Sequence, residues 1–214
     1  MPSIESLLNA FVTLFVIADP IGNAPIFLAL TTGLTTSVRR SIAITGSVVS
    51  FGVLSLFALT GTLILDTIGI TIDAFRIAGG ILLFVTAFEM IYGQRQERRQ
   101  ETTNQIDANS VANLAVFPLA IPLIAGPGTM SATILLSSQF TSDPNTAHWA
   151  GTFILIAIIA ILMIITATFL IAAEALDKYI SNTGKLVLTR LLGVLLAALS
   201  VQYIADGVLA FVRN

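Results

Sequence analysis

The residues best suited to chemistry stand together near the start of the chain, as Asp19-Pro20-Ile21-Gly22-Asn23-Ala24-Pro25. Two prolines and a glycine this close cannot continue a regular helix, because proline lacks an N–H donor and clashes with the carbonyl one turn back. The segment lies in the middle of an apolar run from about Ile4 to Leu30 in which only Glu5 and Asp19 are charged. Backbone groups freed inside a bilayer are tolerated only when buried in protein or lining a cavity. Asp19 adds a carboxylate at the same depth, and an ionisable group inside a span marks a solute or proton pathway. A plainer reading stands beside this one: a packing kink with Asp19 capping the second half-helix, since Asp before Pro is a good N-cap and N1 pair. The two are compatible.

A second interruption is Pro118-Leu119-Ala120-Ile121-Pro122-Leu123-Ile124-Ala125-Gly126-Pro127-Gly128-Thr129. Pro118 and Pro122 break its first part, Gly126-Pro127-Gly128 opens a turn, and a helix restarts over Thr129 to Ser138. The new helix start presents bare N–H groups with a partial positive charge. With no acidic residue near, it suits an external anion such as a carboxylate. A kinked helix is again the plainer alternative. Thr86 and Ser200 on later spans offer hydroxyls to the same cavity, while Glu89 reads as an interfacial carboxylate, and Gln202 and Tyr203 are further polar groups in the last span. The expected substrate-binding set is Asp19, Pro20, Gly22, Asn23, Gly126, Pro127, Gly128, Thr129, Thr86 and Ser200, with Asp19 also the coupling residue. The other small hydroxyls, Ser47, Ser50, Thr166 and Thr168, are expected to bond their own helices or to pack, and Gly46 with Ser50 to permit close packing.

The elements that must hold these residues follow from composition. The chain has 214 residues, 56% hydrophobic and 10% charged, with a mean hydropathy of +0.94. Soluble domains carry about 25% charged residues, so this chain cannot cover a soluble globule with polar surface. The expected class is an all-α polytopic membrane protein, with residues 1–214 forming a single transmembrane domain. Spans of about 20 apolar residues are expected over Ile4 to Leu30, Ser41 to Leu65, Ala74 to Tyr92, within Ala108 to Ser142, over Ala150 to Ala173, and over Lys185 to Val212. Met1 to Leu8 carries no Lys or Arg, so the first run is expected to be a retained helix and not a cleaved signal. Arg39 and Arg40, then Arg95, Arg98 and Arg99, then Lys178 and Lys185 mark alternate loops as cytoplasmic. Both termini are then outside a cell (inner or plasma) membrane.

Three spans per half, 1–92 and 111–214 around a cytoplasmic linker 93–110, force the second half to enter the membrane from the opposite side. Ile17-Ala18-Asp19-Pro20 echoes Ile124-Ala125-Gly126-Pro127, and a gapless match sets Arg76 against Arg190, Gly79 against Gly193 and Thr86 against Ser200. The expectation is two inverted-topology three-helix repeats with helices 1 and 4 broken near the midplane, a transporter signature.

The chain has no cysteine, one histidine (His148) and a net charge of −2. No disulfide, metal site or cofactor is expected, and no nucleic-acid partner; the partners are a small-molecule substrate and the lipid bilayer. Intramembrane enzymes need Ser–His, paired Asp or zinc ligands, so an enzyme is not expected.

The segments Asp19–Phe27 and Pro118–Leu136, with six spans in so short a chain, resemble the MarC family over essentially the whole sequence. The resemblance extends to the wider LysE-like group of small-solute transporters, and some archaeal relatives are regarded as carriers of small neutral amino acids. It implies a site at Asp19 to Asn23 with Gly126 to Thr129. The expected function is a secondary transporter of a small neutral amino acid of the glycine or alanine type, coupled to protons through Asp19, with sodium left open. Alternatives are a passive channel, an exporter of another small solute, and a non-transporting membrane assembly factor. Few aromatics and small residues at the marked positions argue against a roomy multidrug pocket.

Overall fold

Ser3 opens the first helix by accepting the Ser6 N–H at 3.1 Å, and α1 runs Ile4–Ala18. After Asp19 the chain resumes as α2, Pro20–Leu30, then α3, Thr36–Thr67, and α4, Ile72–Tyr92. A proline segment, Ala115–Ile124, leads into α5, Pro127–Thr141, followed by α6, His148–Ile171, and α7, Asn182–Arg213. The structure, a computed structural model, describes residues 2–93, 114–141, 148–175 and 182–213. Nearly all of the expected 93–110 linker, with Arg95, Arg98 and Arg99, lies outside the described residues, as does Lys178.

Among the described residues every regular element is helical. Five helical runs are long and apolar enough to cross a membrane, and the proline segment with α5, bent by 59°, makes a sixth if the pair is one span. The second span starts at Thr36 instead of Ser41, because the Thr35 hydroxyl accepts the Val38 N–H at 3.5 Å and carries Arg39 and Arg40 into the helix. Hydropathy marks the apolar stretch; the cap decides where hydrogen bonding begins. α3 ends in a glycine closure, with Gly69 at φ 74 and the Ile70 N–H donating to the Leu65 carbonyl at 2.9 Å. The reversal is short, so α3 and α4 are sequential neighbours.

The two interrupted spans form the centre of the bundle. Some 67% of the Ile4–Leu30 window is buried, against 22–39% for the four uninterrupted spans. α5 is buried continuously from Ser131 to Ser138. Around this centre stand α3, α4, α6 and α7, whose outer faces show Leu56, Leu59 and Leu63, then Phe84 and Phe88, Ile161 and Ile164, and Leu195. Such a surface is a liability in water and ordinary against acyl chains. Placing irregular backbone inside and regular helices outside is what a bilayer demands, since no water is there to satisfy open peptide groups. Gly46 of α3 lies directly against Leu119 and the Ala115 carbonyl, and the Ser137 hydroxyl of α5 donates to the Ala58 carbonyl of α3 at 2.7 Å.

α4 and α7 pack antiparallel along their whole length. A Cβ built on Gly80 would stand 3.0 Å from the Ser200 carbonyl and 2.7 Å from Ile204, and one on Gly193 would stand 3.2 Å from the Ala87 carbonyl and 3.0 Å from Ile91. Buried along these helices are Gly79, Gly80, Leu83, Ala87 and Met90 on α4 and Gly193, Leu196, Ser200, Tyr203 and Gly207 on α7. Apolar helices carry little register information in sequence; here close backbone approach at the glycines sets it.

Gly80→Leu is expected to force this seam apart, at an overpacking cost of about 1–3 kcal/mol. Gly52→Ala, where nothing lies within 4 Å of the added Cβ, is expected to be neutral or stabilising by up to about 1 kcal/mol. Thermal unfolding in detergent reads both.

Candidate functional site

Asp19 is the sole non-glycine residue with positive φ among the described residues, at φ 51 and ψ 62. Asp enters this left-handed region more readily than most residues because its short side chain bonds locally. A residue before proline nonetheless prefers extended backbone, so the position is strained, and strain of this kind gathers at functional sites. Local bonds hold it. The Asp19 N–H donates to the Phe15 carbonyl at 2.9 Å, closing α1. Its Oδ1 accepts the Gly22 N–H at 3.0 Å, capping α2. Asn23 reaches back across the turn and donates from Nδ2 to the Ala18 carbonyl at 2.8 Å. Gly22 is required here, because a Cβ would run into the Asp19 carboxylate. Asp19 is 2% exposed and Asn23 fully buried, and Pro20 and Gly22 are buried with them.

The second interruption reaches the same end by other means. Phe117 (φ −133, ψ 124) and Ile121 (φ −125, ψ 122) are extended, each before a cis proline. The Ala125 N–H donates to the Ala120 carbonyl at 2.9 Å, a wider closure than an α-turn. Thr129, 2% exposed, donates from Oγ1 to the Ile124 carbonyl at 3.0 Å. Thr129 thus does here what Asn23 does at the first break: a side chain five residues on satisfies the carbonyl that the lost helical turn leaves open. A Cβ on Gly126 would stand 2.6 Å from the Pro122 carbonyl, so no other residue lets the chain pass. Gly126 also brings no side-chain acceptor to the start of α5, whereas Asp19 brings one to α2.

The two breaks meet. A Cβ built at Gly128, in the first turn of α5, would stand 3.5 Å from Ile17 in the last turn of α1, 3.3 Å from Thr86 Oγ1 and 3.7 Å from Leu83 of α4. Thr86 is half-buried, its hydroxyl donating to the Leu82 carbonyl at 2.9 Å, and Pro127 is exposed, so the start of α5 is open on one side. Ser200 stands elsewhere. Fully buried in the α4–α7 seam beside Gly80, it donates to the Ala197 carbonyl at 2.7 Å. The structure therefore brings Thr86 to Gly128 and leaves Ser200 in the helix seam. Glu89 is half-buried on α4, Gln202 donates to Asp206 on its own helix at 2.7 Å, and Tyr203 is buried. Ser50, Thr166 and Thr168 bond their own helices, as expected of them, whereas the buried Ser47 hydroxyl has no hydrogen-bond partner among the described residues. Sequence reasoning missed Asn9 and Thr13, a bonded pair on α1 at 3.3 Å whose signal was the four-residue spacing of polar groups on an apolar helix.

The model of the MarC family integral membrane proteins matches residues 4–212. The chain belongs to the MarC family. Among its relatives, the UPF0056 membrane protein of Archaeoglobus fulgidus is 34% identical over 204 residues, covering 92% of this chain and 90% of that protein. The UPF0056 membrane protein YvbG of Bacillus subtilis is 34% identical, covering 94% and 93%. YhcE of Escherichia coli is 34% identical, covering 92% and 89%. No solved structure matches. The family consists of integral membrane proteins, in keeping with the apolar helices of this MarC member, and the names of these relatives state no substrate.

Thr129→Val in this MarC protein is expected to leave the Ile124 carbonyl unsatisfied and to cost about 1–3 kcal/mol, with Thr129→Ser restoring most of the loss. Unfolding temperature in detergent measures it; equal stability of parent and valine variant would remove this role.

Proposed function

We propose that this MarC-family protein is a secondary transporter of a small polar solute, with a small neutral amino acid of the glycine or alanine type as its substrate class. One observation carries the reading. The first turn of α5 rests on the last turn of α1, at the centre of the bundle, with Thr86 beside it. Interrupted backbone buried between regular helices is the arrangement by which transporters bind solutes at mid-membrane depth. The Gly128 and Thr129 N–H groups at an uncapped helix start would take a carboxylate. Asp19 stands on the facing break as counter-charge for an ammonium and as the group that couples transport to protons. Pro20, Gly22 and Asn23 shape that break, and Pro127 sets the start of α5. The protein acts as a carrier and not as an enzyme, in the cell (inner or plasma) membrane, with both termini outside.

Two inverted-topology three-helix repeats fit the packing. In the α4–α7 seam Gly80 meets Ser200 and Ile204 while Gly193 meets Ala87 and Ile91, the reciprocal contacts of a self-complementary two-fold interface. The buried positions Ala43, Ser47, Ser50, Leu54 and Ala58 of α3 recur with the same spacing as Leu155, Ile159, Leu162, Thr166 and Leu170 of α6. Rocking of one half against the other around the two breaks would give alternating access.

Labelled glycine and alanine uptake into proteoliposomes, with and without an inward proton gradient, tests the reading. Saturable uptake with counterflow is expected. Its absence in folded, inserted protein would remove this substrate class, and single-channel currents would replace the carrier with a pore.

A further inference from the structure

α1 has two faces. Ile4, Leu8 and Val12 point outward as large exposed apolar side chains, while Ser6, Asn9 and Thr13 form a polar stripe on the other side. That stripe borders a cavity of about 210 Å³ between the outer parts of α1 and α5, lined by Ser6, Asn9, Leu136, Gln139 and Phe140. The polar lining is neutral throughout. Asn9 Oδ1 accepts the Thr13 hydroxyl at 3.3 Å, which orients the amide with its N–H donors left for a ligand. The exposed Gln139 reaches toward the buried Tyr203 side chain of α7. The cavity is smaller than the roughly 300–1,000 Å³ of drug-sized pockets. Asn9 lies ten residues before Asp19 and Gln139 eleven after Gly128, about 15 Å along each helix. Both helices that border the cavity thus run from it down to the two breaks.

We propose that this cavity is a separate outer binding site for a small polar solute of no net charge, held by the Asn9 and Gln139 amides and the Ser6 hydroxyl before it passes to the breaks. The passage step rests on the transporter reading; the binding step does not. The lining offers amides and a hydroxyl and no charged partner, which is recognition chemistry for a solute without net charge. The buried Thr13, hydrogen-bonded to Asn9, continues the α1 polar stripe inward from it.

The chain has no native cysteine, so single-cysteine variants report without background. Pro2→Cys and Phe140→Cys, which line the cavity without supplying the proposed ligand groups, with Ser3→Cys as an exposed control beside the cavity, are to be labelled in detergent with a small uncharged thiol reagent. The probes are glycine and alanine, with glutamate and lysine as charged controls, and uptake by the parent protein is measured in parallel. At about ten times the half-saturating concentration, mass action sets the expected slowing of labelling at about tenfold for both cavity cysteines, with none at Ser3→Cys and none from the charged controls. Protection without uptake by the parent would keep the outer site and sink the transporter. Uptake without protection, or cavity cysteines that do not label, would sink the outer site and keep the transporter. Neither protection nor uptake would remove both.

Discussion

Asp19→Asn is expected to keep the fold and lose the proton response. The asparagine carbonyl oxygen can still accept the Gly22 N–H that Asp19 Oδ1 accepts at 3.0 Å, and Asn tolerates the left-handed backbone nearly as well as Asp. The charge alone is removed. The ratio of uptake with and without an inward proton gradient should therefore fall to about one, while unfolding temperature changes little, because the coupling group and not the cap has been lost. Asp19→Leu separates the two roles from the other side. It removes cap and charge together and should cost about 1 kcal/mol or more from the cap, with further strain because a bulky side chain meets φ 51. An Asp19→Asn protein that retains its gradient response would leave Asp19 as a cap only.

Gly128→Leu is expected to abolish uptake in a protein that still folds. The added side chain would enter the space between Thr86, Ile17 and Leu83, where even a Cβ stands 3.3–3.7 Å from its neighbours. It would cover the first N–H groups of α5. Each hydrogen bond to a charged carboxylate contributes about 1.5–3 kcal/mol, so losing even one should weaken binding about tenfold or more. Gly128→Ala is the graded control. Its Cβ is tight only against Thr86 Oγ1 at 3.3 Å and in ordinary contact with Ile17 and Leu83, so a shift of a few tenths of an ångström suffices and uptake should fall by less than about tenfold by the same conversion. Gly128 is a sharper probe than Gly126, where any side chain meets the Pro122 backbone carbonyl at 2.6 Å and the turn itself must move. Full uptake by a folded Gly128→Leu protein would place the solute site elsewhere.

The sequence by itself determined the class of molecule. A chain this apolar, with charge confined to a few positions, has no fold open to it except helices in lipid. It also marked the two interruptions, because proline and glycine act locally: Pro20, Pro118 and Pro122 remove donors wherever they stand. The roles of Asp19 and Gly22 at the first turn were legible for the same reason, since cap and capped N–H are three residues apart.

Tertiary structure decided what local chemistry leaves open. Which hydroxyl faces which helix depends on rotation and register, and apolar helices offer many near-equivalent choices. Thr86 and Ser200 look alike in sequence, yet the close approach at Gly80 and Gly193 turns Ser200 into the α4–α7 seam, while Thr86 comes to Gly128. Asn23 and Thr129 read as substrate-binding residues, and the fold gives the side chain of each a further partner, a carbonyl left open by its own break. A donor is claimed by the nearest unsatisfied acceptor, and only the folded backbone shows where that acceptor is. The meeting of Ile17 with Gly128 is likewise invisible in the chain. Residues so far apart in sequence are joined because irregular backbone is stable in a bilayer only when regular helices surround it, and one centre must serve both breaks.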